Sequence, residues 1–179
     1  MAEYHGSRTA PLDLAVQAGL PGPRSVLLAP LTGGVSTTAD FEFASLVVPA
    51  GFLIETGLVW TAEFIASFTK ATGTMNLVPW VKVNGTKLAA VTLAQANAAQ
   101  TAQPVHYRAA LTVRSLGASG VIAISSMAVK GTTAQVGGSA GDTITLDTSA
   151  SVTIAVGANL SVANAGHSLT AHFAKVGQG

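Results

Sequence analysis

Four histidines, eight acidic side chains and many serines carry whatever chemistry this 179-residue chain can perform. The histidines are His5, His106, His167 and His172. They form no HExxH, and no acidic cluster accompanies any pair. His167 and His172, five residues apart, fall on opposite faces of a regular strand. They read as surface or interface imidazoles rather than metal ligands. Asp142 lies near Asp147, and Asp40 near Glu42. Glycoside hydrolysis needs two carboxylates across a cleft, and nothing local singles out such a pair. Asp142 after Gly141, and Asp147 before Thr148-Ser149, read as turn-shaping residues. Gly117-Ala118-Ser119-Gly120 has the wrong spacing for a nucleophile elbow. Gly137-Gly138-Ser139-Ala140-Gly141 lacks the Lys-Ser/Thr end of a phosphate loop and reads as a flexible turn. The chain has no cysteine, which excludes disulfides, thiolate metal sites and cysteine nucleophiles. The expectation is no catalytic residue, no metal and no cofactor.

Binding chemistry is equally thin. Arg108 and Arg114 share one face of an alternating segment. A nucleic-acid stripe needs more cations with interleaved aromatics, and the net charge is only +1. Both arginines are assigned to subunit contacts or the solvent face. Trp60 and Trp80 read as core or interface anchors.

Composition says more. Asp, Glu, Lys and Arg make up 9% of the chain, against roughly 25% in ordinary soluble domains. Hydrophobic residues reach 49%. The longest charge-free stretch, Thr148 to Ala174, is interrupted by Ser149, Ser151, Asn159, Ser161, Asn164, Gly166 and His167. A membrane-spanning helix needs about 20 mostly apolar residues, so none is expected. Residues Met1 to Arg8 lack the apolar core of a signal peptide. A chain that does without a charged surface is expected to spend much of that surface on other subunits.

The elements that would present such a surface are strands. Val105, Tyr107, Leu111 and Val113 share one face; His106, Arg108, Thr112 and Arg114 share the other, as in a half-buried strand. Leu58, Trp60, Phe64 and Phe68 keep one parity. Helical spacing also fits Trp60, Phe64 and Phe68, but β-branched content and nearby turns favour strand. Further strands are expected at Phe41–Val48, Met75–Val83, Lys87–Leu93, Val121–Lys130, Thr143–Asp147, Ser151–Val156 and Leu169–Val176. Asn84-Gly85 between Val83 and Thr86 is a strong hairpin signal. Pro49-Ala50-Gly51, Gly117–Gly120 and Gly137–Gly141 supply other turns. Residues 94–103 read as a loop or short helix.

Residues 1–40 differ, with Pro11, Pro21, Pro23 and Pro30 punctuating them. A short helix around Leu12–Ala18 is compatible with them. The segment reads as an extended arm, with a solvated tail as the alternative. Against that tail stand Leu12, Leu14, Val16, Leu20, Val26, Leu27, Leu28 and Leu31, apolar residues that a neighbouring subunit would cover.

From about Val47 onward the chain resembles the small jelly-roll structural proteins of tailed bacteriophages. The resemblance rests on Val47-Val48-Pro49-Ala50-Gly51, on Thr72-Gly73-Thr74 followed by Val81–Ala89, and on Val105–Gly120. It continues through Asp147-Thr148-Ser149-Ala150 and Asn164–Thr170. Met75 and Asn84 depart from the family's pattern at turns. The resemblance implies a virion structural protein of the minor capsid, head-decoration or tail class.

The expected fold is an all-β, antiparallel jelly-roll β-sandwich of about eight strands over residues 41–179, preceded by the 1–40 arm. The expected function is a non-enzymatic decoration or cement protein that stabilises a phage-like head. It would be a homotrimer, since closed symmetry stops runaway association. Its partners would be itself and the major capsid protein or other virion proteins, without nucleic acid or membrane. It would be assembled in the cytoplasm of a bacterial host. The alternative is a tail-tip or fibre protein that binds a host-surface glycan through Trp80 and the 94–103 segment.

Overall fold

Alternating large and small side chains build the centre of the molecule. In the segment from Val59 to Lys70, Trp60, Ala62, Phe64, Ala66 and Phe68 are all buried. Val105, Tyr107, Ala109, Leu111 and Val113 do the same on the strand beside it. A period of two puts these residues on one face of a sheet. The computed structural model describes residues 24–27, 29–33, 37–94, 97–131 and 135–179, the side chains of 135–140 excepted.

Twelve strands appear among the described residues: β1 Arg24–Val26, β2 Leu31–Gly33, β3 Phe41–Val48, β4 Val59–Lys70, β5 Asn76–Val83, β6 Thr86–Leu88, β7 Leu93–Ala94, β8 Gln100–Ser115, β9 Gly120–Lys130, β10 Gln135–Leu146, β11 Val152–Leu160 and β12 Ser168–Gln178. Eight of them are eight residues or longer, which meets the expected strand number. The larger sheet runs β1-β12-β4-β8-β9-β10, with β2 also on β12; the smaller runs β3-β11-β5-β6, with β7 on β5. Every pairing is antiparallel. The chain switches sheets from β2 to β3, β3 to β4, β4 to β5, β7 to β8, β10 to β11 and β11 to β12, so it is an antiparallel β-sandwich of jelly-roll type. No helix of the described residues is long and apolar enough to cross a membrane.

One aromatic contact joins the two sheets and a second runs along the larger one. Phe43 of β3 packs edge-on against Phe64 of β4 at 4.8 Å, and Phe64 stacks on Tyr107 of β8 at 5.5 Å. Such pairs add roughly 0.5–1.5 kcal/mol beyond burial. The Asn84-Gly85 hairpin closes β5 onto β6 with φ of 47° and 80°, the left-handed pair of a type I′ turn.

Four expectations need correction. The Gly137–Gly141 run is not a turn. It lies inside β10, paired with β9 from Gln135↔Lys130 to Leu146↔Gly120, with a bulge between Ala140 and Asp142. Gly141, at φ 93°, lets the backbone absorb that bulge. Residues 100–103 belong to β8 rather than a loop. The Lys87–Leu93 strand divides into β6 and β7. Asp142 shapes no turn: its Oδ2 accepts the Ala89 N–H.

Ala89 sits at φ 48°, a left-handed conformation that costs an alanine roughly 1–2 kcal/mol. Three strands of the larger sheet hold it there. Besides Asp142, the Tyr107 hydroxyl donates to the Ala89 carbonyl at 2.9 Å and the Ser126 hydroxyl at 2.8 Å. Burial raises the Tyr107 pKa, and the Asp142 charge adds to the shift, so the phenol stays a donor. Asp142→Ala is expected to cost about 1–3 kcal/mol, the penalty for a buried N–H left without its acceptor. Urea unfolding of the variant beside the parent measures it.

Candidate interaction surface

The outward face of the larger sheet presents aliphatic and charged groups side by side. Strand register places Phe173, Ile65, His106 and Val129 in one row across β12, β4, β8 and β9. The next row holds Lys175, Glu63, Arg108 and Met127. Ile65 is 46% exposed, Met127 47% and Val59 37%. Charges of alternating sign run through the second row, and aliphatic groups flank them. Five strands about 4.8 Å apart and some eleven residues long give a face of about 800 Å². One partner contributes about that much to a standard protein interface.

Other exposed aliphatics lie elsewhere: Val47 in β3 and Ile54 beyond it, each 59% exposed, Leu116 at the β8–β9 turn, and Val162 after β11. Among the described residues no Phe, Tyr or Trp is exposed.

The residues expected to contact neighbours divide. Leu12, Leu14, Val16, Leu20 and Leu28 lie outside the described residues. Leu27 packs against the chain's own core, its N–H donating to the Ala174 carbonyl at 2.8 Å. Val26 stands opposite Lys175 at the β12 edge, which extends the outward face, and is 37% exposed. Leu31, also 37% exposed, pairs with Ala171. Residues 24–26 and 31–33 thus pair with the sandwich through β12.

Trp60 is buried in the core. Trp80 is equally buried but lies on the outward side of the smaller sheet, where its ring carbons stand close over Gly157. The Lys82 and Lys87 ammonium groups stand 4.6 and 5.6 Å from its ring centroid. Asp40 pairs with both lysines. Partial burial pushes the Asp40 carboxyl up, but hydrogen bonds from Lys87 and Lys82 outweigh it and hold the pKa below its ordinary value. With no exposed ring, Trp80 offers no stacking platform for a sugar.

Two histidines take different roles. His167 is buried rather than at a surface, and its Nδ1 accepts the Ala71 N–H at 3.2 Å. His167→Leu is expected to cost about 1–3 kcal/mol by leaving that N–H without an acceptor, read as a lower melting temperature. His172 is exposed, and its Nε2 lies 2.8 Å from the Ser67 hydroxyl oxygen. A serine–histidine pair alone is not a nucleophile site. It needs an orienting acid and a set of N–H donors for an oxyanion, and among the described residues no carboxylate is hydrogen-bonded to His172. No group of three His, Cys, Asp or Glu residues able to hold a metal occurs among the described residues.

No family model matches the chain, and no curated protein matches it. Solved structures with a similar trace include a CBM2 module from the evolved Dit of Lactobacillus casei BL23 phage J-1. It has a TM-score of 0.34 and 12% identity, over 81% of this chain and 74% of that one. An alginate lyase from Alteromonas sp. 272 gives 0.32 and 8%, over 90% and 97%. An alginate lyase from Klebsiella pneumoniae gives 0.29 and 9%, over 69% and 61%. With TM-scores this low the likenesses carry no argument about function, and the β-sandwich stands on its own strand pairing.

Proposed function

We propose that this chain is a non-enzymatic structural protein of a phage-like virion. In this reading it is a decoration or cement protein that self-associates as a trimer and binds the head through its major capsid protein. The observation that carries the proposal is the outward face of β12, β4, β8, β9 and β10. It is broad, holds Lys175, Glu63 and Arg108 in one row of alternating sign, is aliphatic at Ile65, Met127 and Val59, and shows no exposed aromatic ring among the described residues. Charges of alternating sign can pair across an interface with a second copy, whereas sugar platforms need an exposed ring. The residues before Arg24, with Leu12, Leu14, Val16 and Leu20, would tie a trimer to the shell, burying leucines to offset roughly 1–2 kcal/mol per ordered residue.

The test is to expose the isolated protein to empty phage heads and, separately, to a glycan array. Sedimentation with the heads and no glycan signal is the expected result. Saturable binding to a glycan, without sedimentation, would replace this reading with that of a tail-tip or fibre protein.

A further inference from the structure

One row of the outward face carries its charges in a fixed order. Lys175 of β12 stands opposite Glu63 of β4, Glu63 opposite Arg108 of β8, and Arg108 opposite Met127 of β9. The order is cation, anion, cation, then a neutral thioether. Arg108 is exposed, and Glu63 and Lys175 are half-buried. Opposite charges facing each other across strands stabilise a sheet when they close on one another. Among the described residues, however, no ion pair joins Glu63 to Lys175 or to Arg108. Carboxylate and guanidinium both keep room for a group from outside the copy.

Symmetry decides what that group is. Identical chains in a closed ring are related by rotation, and rotation leaves a residue's height along the axis unchanged. Glu63 and Arg108 share one height along the strands, because they are register partners on adjacent strands. Consider an axis parallel to the strands and standing in front of β4 and β8. It turns the β12–β4 half of one face toward the β8–β9 half of the next. Glu63 of one copy then arrives at Arg108 of its neighbour. At the next level, about 7 Å along the strands, Ile65 arrives at His106. A two-fold axis laid along the row does the opposite: it sets Lys175 on Lys175 and Arg108 on Arg108. Like charges brought together oppose association. The charge order thus accepts the first axis and rejects the second.

We propose that Glu63 of one copy pairs with Arg108 of the next, around a symmetry axis parallel to the strands of the larger sheet. This pairing rests on the assembly reading and gives it a geometry. The occupant of the face is a second copy of the chain, the charge pair sets the register, and Ile65 beside it supplies apolar contact. Complementary charges of this kind fix partner and register more than they add affinity, so exchanging the charges reads the contact directly.

The test is a charge exchange in the full chain, read by sedimentation equilibrium, with thermal melting to confirm that each variant folds. Glu63→Arg sets an arginine against Arg108 of the neighbour, and Arg108→Glu sets a glutamate against Glu63. Each should weaken association about 30-fold or more. The two substitutions in one chain rebuild the pair with reversed signs, and should return association to within about tenfold of the parent. A one-to-one mixture of the two single variants isolates contacts between chains. In a ring of three it makes two matched junctions and one mismatched, so it should regain part of the lost association. Should a reversal fail to fold, Glu63→Gln and Arg108→Gln each remove one charge and should weaken association about tenfold or more. Single variants that associate like the parent, or a mixture that regains nothing, would overturn the pair and leave the assembly reading standing. A mixture that recovers as fully as the double variant would keep the pair but show a ring with an even number of chains, overturning the trimer. A parent with the mass of one chain would overturn both.

Discussion

If the outward face of the larger sheet carries the proposed self-association, Ile65→Glu combined with Met127→Glu will yield a monomer. Both side chains stand on the outward face of the larger sheet, 46% and 47% exposed. Ile65 lies on β4 and Met127 on β9, with β8 between them, so they sit near the middle of the face. Loss of one central anchor costs about 2 kcal/mol or more of binding, roughly 30-fold each. Placing carboxylates against a second copy adds like-charge repulsion and unpaired desolvation. Together the expected loss of association is about a thousandfold. Folding should change little, because exposed substitutions on a sheet face usually stay within about 0.5 kcal/mol. Sedimentation equilibrium reads the first effect and thermal melting the second. An unchanged mass would move the interface to another face.

Gly157→Ala should be among the most damaging single substitutions in the sandwich. A β-carbon there would lie 2.2 Å from the Phe41 carbonyl oxygen and 2.7 Å from two carbons of the Trp80 ring. Neither neighbour has room to retreat. Phe41 is paired with Ala158 in the β3–β11 ladder, and Trp80 is fully buried. Overpacking costs about 1–3 kcal/mol where a site can adjust. Against backbone the upper end or beyond is expected, about 3 kcal/mol or more. That corresponds to a fall in melting temperature of roughly 6–12 °C. Gly51→Ala is the control: its φ is 83° but nothing lies within 4 Å, so only the left-handed backbone cost of about 1 kcal/mol applies. Equal effects at the two positions would show that the β3–β11–β5 packing is looser than the structure has it.

Much of this architecture was legible before folding was considered, for a physical reason. Where one face of a strand is buried and the other open, a period of two must appear. Val105–Arg114 and Leu58–Thr69 show it, and β3 begins and ends at the residues expected, Phe41 and Val48. The failures fall where that signal is absent. Gly137–Gly141 carries no side-chain pattern, and its strand state comes from pairing with β9. Asp142 sits 53 residues from Ala89, whose N–H it accepts, and His167 lies 96 from Ala71. Local turn chemistry says nothing about either partner. Asp147 is the contrasting case: its Oδ1 accepts the Ser149 N–H two residues on, so the turn was readable.

The outward face was only half readable. Low charge raised the expectation of an interface, but which residues share the outward face depends on registry between strands far apart in sequence.

The most direct measurement is the solution mass of the purified protein by light scattering, beside a chain that begins at Arg24. Starting there preserves β1 and β2, which pair with β12. The account predicts a mass of three chains for the full protein, retained by the shorter one, because the associating face belongs to the sandwich. A mass of one chain for the full protein, across the concentrations at which it stays dispersed, would contradict it.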